Sequence, residues 1–233
     1  MVKVQKKLTF LAGLILLLLV GLSCESSKKE STNNKKLIVD YYVRYLQSDK
    51  QVKAEISFSE LDSIGKTMPK IMTEVLFQQK ALDGKRILNR YRYQLTESAS
   101  FEDNYTFDYR RNGEGFIKQE IAMSPIEAFE IKNKQVSKTE STILTLKGTA
   151  FKENEQLVLL FSDKNNKTAT VTFDNLSMDQ SLTILPKQIA DLTIGKGSLY
   201  LVRRQIINDT LDNLVLTGVT EFYSTVEEIE ILN

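Results

Sequence analysis

A hydrophobic period of two begins at Leu37 and returns along most of the chain, and this constrains the fold more than any other feature. Leu37, Val39, Tyr41, Val43 and Tyr45 fall on one face of an extended segment, with Asp40 and Arg44 on the other. Side chains along a strand point to alternate faces, so such a run buries one face of a sheet and leaves the other to water. After Ser48-Asp49-Lys50 the alternation resumes over residues 52–58, and the two runs predict a hairpin. Further strands are predicted at 70–78, 90–95, 105–110 and 116–123. Asn112-Gly113, a pair that tolerates positive φ, turns between the last two.

The second half repeats the pattern at 143–146, 157–161, 168–173, 182–185, 199–207, 214–223 and 226–232. The continuous apolar stretch 157–161 reads as a central strand. Only two segments suggest helix: 186–192, opened by Pro186, and 59–73, interrupted by Pro69. Short strands at this spacing predict an all-β chain of sandwich or barrel type. Pro125 marks a plausible boundary. The expectation is therefore two tandem antiparallel β-sandwich domains, immunoglobulin-like, at 37–125 and 126–233.

Composition removes whole classes of chemistry. The chain has no histidine and one cysteine, Cys24. Serine–histidine triads, cysteine–histidine dyads, histidine-ligated zinc and iron–sulfur clusters all need residues that are missing. With a single cysteine no intrachain disulfide forms, so packing must hold the fold. Charge is nearly balanced, with 31 basic and 30 acidic side chains. Such a balance gives no electrostatic case for a nucleic-acid partner.

The first residues differ in kind from the rest. Lys3, Lys6 and Lys7 precede an uncharged apolar run, residues 8–20, which ends in Gly21-Leu22-Ser23-Cys24. A basic start, a short apolar centre and small residues at the end describe an export signal over 1–23. The arrangement Leu22-Ser23-Cys24 resembles the lipobox of bacterial lipoproteins, although Gly21 departs from the aliphatic residue usual there. That resemblance implies cleavage between Ser23 and Cys24 and lipid attachment at Cys24. It implies a membrane partner reached through the lipid, and Glu25 after the cysteine points to the outer membrane. Residues 24–36 carry the cysteine and a polar run with nothing apolar to bury, the composition of a flexible tether. Removing the three signal lysines leaves 28 basic side chains against 30 acidic ones.

Candidate catalytic and ligand residues must come from what remains. Glu102-Asp103 and Glu227-Glu228-Glu230 are the densest acidic clusters, and a glycosidase would need two facing carboxyls. In the second cluster, Glu228 and Glu230 share a strand face opposite Ile229 and Ile231, as a solvated face would. Asp163, Asn165 and Asn166, like Glu102, Asp103 and Asn104, could offer oxygens to calcium, but turns recruit the same residues for backbone reasons. Seven of the nine tyrosines lie between Tyr41 and Tyr109, among Arg86, Arg90, Arg92, Arg110 and Arg111. Inward tyrosines and outward arginines of an ordinary sheet explain that alternation. No catalytic, cofactor or metal residue is assigned. The expected function is a non-enzymatic binding or assembly module of the cell envelope with a protein or glycan partner. A carrier of lipid or another hydrophobic ligand is the alternative, and a carboxylate-only glycan hydrolase a third.

Overall fold

The computed structural model describes residues 36–62, 64–110, 115–148, 150–177, 180–211 and 213–233. The expected export signal, Ser23, Cys24, residues 25–35 of the expected tether, Arg111 and the Asn112-Gly113 pair lie outside them. Strands dominate the described residues: β1 (Lys36–Leu46), β2 (Gln51–Leu61), β3 (Thr67–Lys70), β4 (Glu74–Phe77), β5 (Lys80–Ala81), β6 (Asp83–Ile87), β7 (Arg90–Ser98), β8 (Asn104–Arg110) and β9 (Ile117–Ala122). After Pro125 come β10 (Ala128–Ile131), β11 (Gln135–Ser137), β12 (Thr142–Lys147), β13 (Glu155–Asp163) and β14 (Thr168–Asp174). The chain ends with β15 (Ser181–Ile184), β16 (Gly195–Leu211), β17 (Leu214–Tyr223) and β18 (Glu227–Leu232). The all-β expectation holds.

The β1–β2 hairpin forms as the alternation dictates. Val39, Tyr41, Val43 and Tyr45 are buried, as are Val52, Ala54, Ile56 and Phe58 opposite them. The expected helix at 59–73 is not there. Residues 59–61 finish β2, and β3 returns along it with Pro69 opposite Ser59. β3 pairs on one edge only, where a residue without an N–H is tolerated. The other helical expectation shrinks to one 3₁₀ turn, Pro186–Gln188.

Two sheet pairs stack their buried faces. In the first, β6-β7-β2-β1-β17-β16 packs on β5-β4-β8-β9. Rings fill the space between them. Phe58 meets Tyr109 at 4.8 Å between centroids, Phe77 meets Phe107 at 5.0 Å, and Tyr41 meets Phe107 at 6.3 Å. Tyr93 closes one edge, its hydroxyl accepting the Met72 amide and donating to the Met72 carbonyl, both at 2.8 Å. In the second, β14-β13-β16-β18-β11 buries Leu157, Leu159, Phe161, Leu199 and Ile231 in a core shared with Leu144, Leu182 and Ile184 of β10-β12-β15. β13 is central, between β14 and β16, as its apolar sequence predicts.

Two tandem sandwiches divided at 125 and 126 are not confirmed, because β16 belongs to both sheet pairs. Its first residues, 195–199, pair with β18, and residues 202–211 pair with β17. β13 lines the opposite edge over 197–205. β17 in turn lies parallel to β1 across ten residue pairs, from Leu37–Leu214 to Leu46–Tyr223. The purely antiparallel expectation is thus corrected by β1–β17 and by the shorter parallel pair β11–β18. Residues 35–233 form one compact unit.

Candidate functional site

Register, rather than local sequence, assembles the site. On the outer face of the first sheet Arg44 of β1 and Arg204 of β16 stand on either side of Glu221 of β17. The Tyr42 hydroxyl donates to Glu221 Oε2 at 2.7 Å, and the Tyr223 hydroxyl donates to the same oxygen at 3.3 Å. Arg204 Nε lies 3.7 Å from Glu221 Oε1, and the Arg44 guanidinium sits 5.9 Å above the Tyr223 ring. Burial, then the Glu221 carboxylate, push both phenols above their ordinary range. Two tyrosines and two arginines therefore surround one carboxylate that is 16% exposed.

Beside this cluster, where β16 passes from one sheet pair to the other, lies a cleft of about 300 Å³. Leu46, Leu160, Tyr200 and Tyr223 give it apolar walls, and Ser48, Asp49 and Ser224 its polar groups. Leu160 faces Tyr200 across the β13–β16 pair. Alternation puts Leu157, Leu159 and Phe161 inside, which turns Leu160 outward into the cleft. Ser224 is held in place by accepting the Leu201 amide and donating to the Thr225 carbonyl. An aromatic slot flanked by arginines and a carboxylate has the composition of a recognition surface, since Tyr and Arg carry much of the energy at interfaces.

Of the residues singled out from sequence, Tyr42 belongs to this cluster, and the others sit elsewhere. Tyr41, Tyr45, Tyr93, Tyr105 and Tyr109 are core residues, while Arg86 and Arg90 are exposed and Arg92 pairs with Glu55 at 3.1 Å. Arg110 pairs with Glu74 at 2.6 Å. Glu102 accepts a hydrogen bond from Gln78 at 2.6 Å, and Asn104 opens β8. Glu227 pairs with Lys134. Glu228 and Glu230 are exposed while Ile229 and Ile231 are buried, as their alternation predicts. The two glutamates line an open cleft of about 580 Å³ with Lys134, Lys164 and Lys196, where charges of both signs alternate.

Asp163 has a structural occupation. Its Oδ1 accepts the amides of Asn165 and Lys167 at 2.8 and 2.9 Å, and its Oδ2 accepts that of Thr193 at 2.7 Å. Burial alone would raise its pKa, but the hydrogen bonds from Thr193, Lys167 and Asn165 outweigh it and hold the carboxyl at about 2. A carboxyl depressed in the folded state contributes stability above its unfolded pKa of about 3.9, and that contribution is lost as pH falls. Acid titration should therefore show a loss of stability between about pH 4 and the folded value of about 2 that is missing in Asp163→Asn. Equal acid sensitivity of the two proteins would contradict this. Asn165 donates its side-chain amide to Thr193, and Asn166 is a turn residue at φ 61°.

Comparison with known proteins gives fold-level likenesses only. No family model matches the chain, and no curated protein does. Among solved structures it is similar to the Yersinia pseudotuberculosis adhesin InvE at 12% identity, over 86% of this chain and 59% of that one, with a TM-score of 0.27. A 1.5-MDa bacterial ice-binding adhesin matches at 7% identity over 84% of this chain and 64% of that one, TM-score 0.21. The IG1+IG2 portion of DIP-gamma matches at 11% identity over 86% and 99%, TM-score 0.24. The chain spans less than two thirds of either adhesin structure. At TM-scores this low none of these likenesses fixes a topology or an activity.

Proposed function

We propose that the chain is a lipid-anchored protein of the bacterial cell envelope, held through Cys24 at the outer membrane, whose body is a non-enzymatic binding module. The observation that carries the binding reading is the cleft of Leu46, Leu160, Tyr200 and Tyr223 beside the Arg44–Glu221–Arg204 row. Its partner is an envelope protein or glycan presenting an apolar or aromatic group with a polar flank. A hydrophobic-ligand carrier would need room between stacked sheets, and there the rings of Phe58, Phe77, Phe107 and Tyr109 fill the space. A carboxylate hydrolase needs two acids facing each other across a substrate, whereas Glu228 and Glu230 stand side by side on one strand face.

The test is purification of the full lipidated protein from its native envelope, with mass spectrometry of whatever co-elutes. A stoichiometric partner should be recovered with the wild type, and Tyr200→Ala should weaken its binding by at least about tenfold, the order expected for a central aromatic contact. A partner retained equally by Tyr200→Ala and Tyr223→Ala would remove the cleft from the account. Cys24→Ala, recovered without acyl groups and away from the membrane, reports on the anchor separately.

A further inference from the structure

The five most exposed large apolar side chains among the described residues are Leu88 at 90%, Ile64 at 83%, Ile71 at 64%, Leu211 at 54% and Met68 at 51%. Strand register brings Leu88, Ile64, Met68 and Leu211 to one end of the first sheet pair, and Ile71 follows the last residue of β3. β1 begins there at Lys36, and β2 ends there at Leu61, opposite Lys36. The β16–β17 hairpin closes there, since Leu211 faces Leu214 and Leu214 faces Leu37. The β6–β7 hairpin closes toward it at Ile87 and Arg90. β8 runs the same way, because Phe107 packs on Tyr41 and Tyr109 on Phe58 nearer the start of β1. Phe116, 46% exposed just before β9, joins the same end beneath the Arg110 guanidinium at 4.8 Å.

The opposite end of β1 has the contrary character, its turn being the exposed polar run Ser48-Asp49-Lys50. Leu88 also holds a left-handed backbone at φ 53°, a conformation that asparagine or glycine adopts at lower cost. An exposed leucine kept in a strained hairpin tip calls for a use. Asp62 shapes a second tip by accepting the amides of Ile64 and Lys66 on Oδ1, which leaves Ile64 outward. Exposed Lys36, Lys66, Arg86 and Arg90 lie among these tips, with Asp209 the exposed acid on β16 nearby.

We propose that this end docks on an anionic phospholipid bilayer, its loop tips entering the interface and its basic residues meeting the headgroups. The proposal rests on the anchoring reading, because the polar run after Cys24 joins the body at Lys36, at this same end. β1 covers eleven residues, about 36 Å, so docking holds the cleft at Leu46 that far from the lipid.

The chain has no tryptophan, so single tryptophans report depth one site at a time. Full lipidated protein carrying Leu88→Trp, Leu211→Trp or, as control, Ile194→Trp is placed in vesicles of phosphatidylethanolamine and phosphatidylglycerol with brominated acyl chains. Ile194 is exposed just before Gly195, where β16 starts, seventeen residues of strand from Leu211. Emission at positions 88 and 211 should shift to the blue and be quenched several-fold more than at 194. Equal quenching at all three, in protein whose mass confirms acylated Cys24, overturns docking while the anchor stands. Protein found without acyl groups overturns the anchor instead, and selective quenching at 88 and 211 would then still uphold docking. No quenching at any position in unacylated protein overturns both.

Discussion

Arg203→Met is expected to lower stability by about 3–5 kcal/mol, the cost of leaving a buried charge without its partner. Arg203 and Glu155 are 3% and 1% exposed and meet at 2.5 Å. The guanidinium also donates to the carbonyls of Pro125 at 3.1 Å and Ala150 at 2.8 Å, and lies 4.2 Å over the Phe151 ring. Arg203 stands opposite Leu157 in β13 and Phe222 in β17, the place where β16 passes between the two sheet pairs. One side chain thus ties the linker at Pro125, the segment before β13 and the shared strand together. For a body of this size the loss corresponds to a fall in Tm of roughly 6–20 °C. The double variant Arg203→Met with Glu155→Leu should recover part of the loss, since no charge is then stranded. It should not recover all of it, because the Pro125 and Ala150 carbonyls lose their donor. A single variant as stable as wild type would mean that water reaches the pair.

Gly218→Val should be the second severe change, at about 3 kcal/mol, in the upper range for overpacking. Gly218 is paired with Tyr41 across the parallel β1–β17 ladder, and the Tyr41 ring lies flat against it. A Cβ at 218 would stand 2.3 Å from ring carbon Cζ and 2.4 Å from Cε2. Tyr41 cannot simply swing away, because it is 5% exposed and packs on Phe107. The cause can be isolated with a double-mutant cycle. In a Tyr41→Ala background the added cost of Gly218→Val should largely vanish, whereas an undiminished cost would point to strand propensity instead of the ring.

These two positions also show where sequence reading stops. The β1–β2 hairpin was legible because its strands are adjacent and each carries its own alternation, so register follows from a short turn. The inward tyrosines and the faces of β18 were legible for the same reason. The β1–β17 pair was not, because its partners are about 177 residues apart and period two does not name a neighbour. Gly218 in the middle of an apolar strand was the one local hint of a close approach, and Arg203 within 199–207 the one hint of a buried pair. The Arg44–Glu221–Arg204 row draws on three strands from both ends of the chain, so no local motif could announce it. The helix expected at 59–73 failed because an edge strand accepted Pro69. Ile64 lay within the segment expected to be helical, and Leu88 and Leu211 between predicted strands; only register reveals that the three share an end.

The claim on which the rest depends is that strands near both ends of the chain complete one sheet. Its most direct test is to express residues 36–125 alone, beside 36–233, and follow unfolding by amide exchange and urea. The shorter chain would lack β17 and β16, leaving the β1 edge unpaired along ten residues with Leu37, Val39, Tyr41, Val43 and Tyr45 uncovered on that side. Rapid exchange and no cooperative transition in 36–125, against slow exchange across β1 and β17 in 36–233, is the predicted result. A fragment 36–125 that unfolds cooperatively, with β1 amides protected, would contradict it and restore two independent domains.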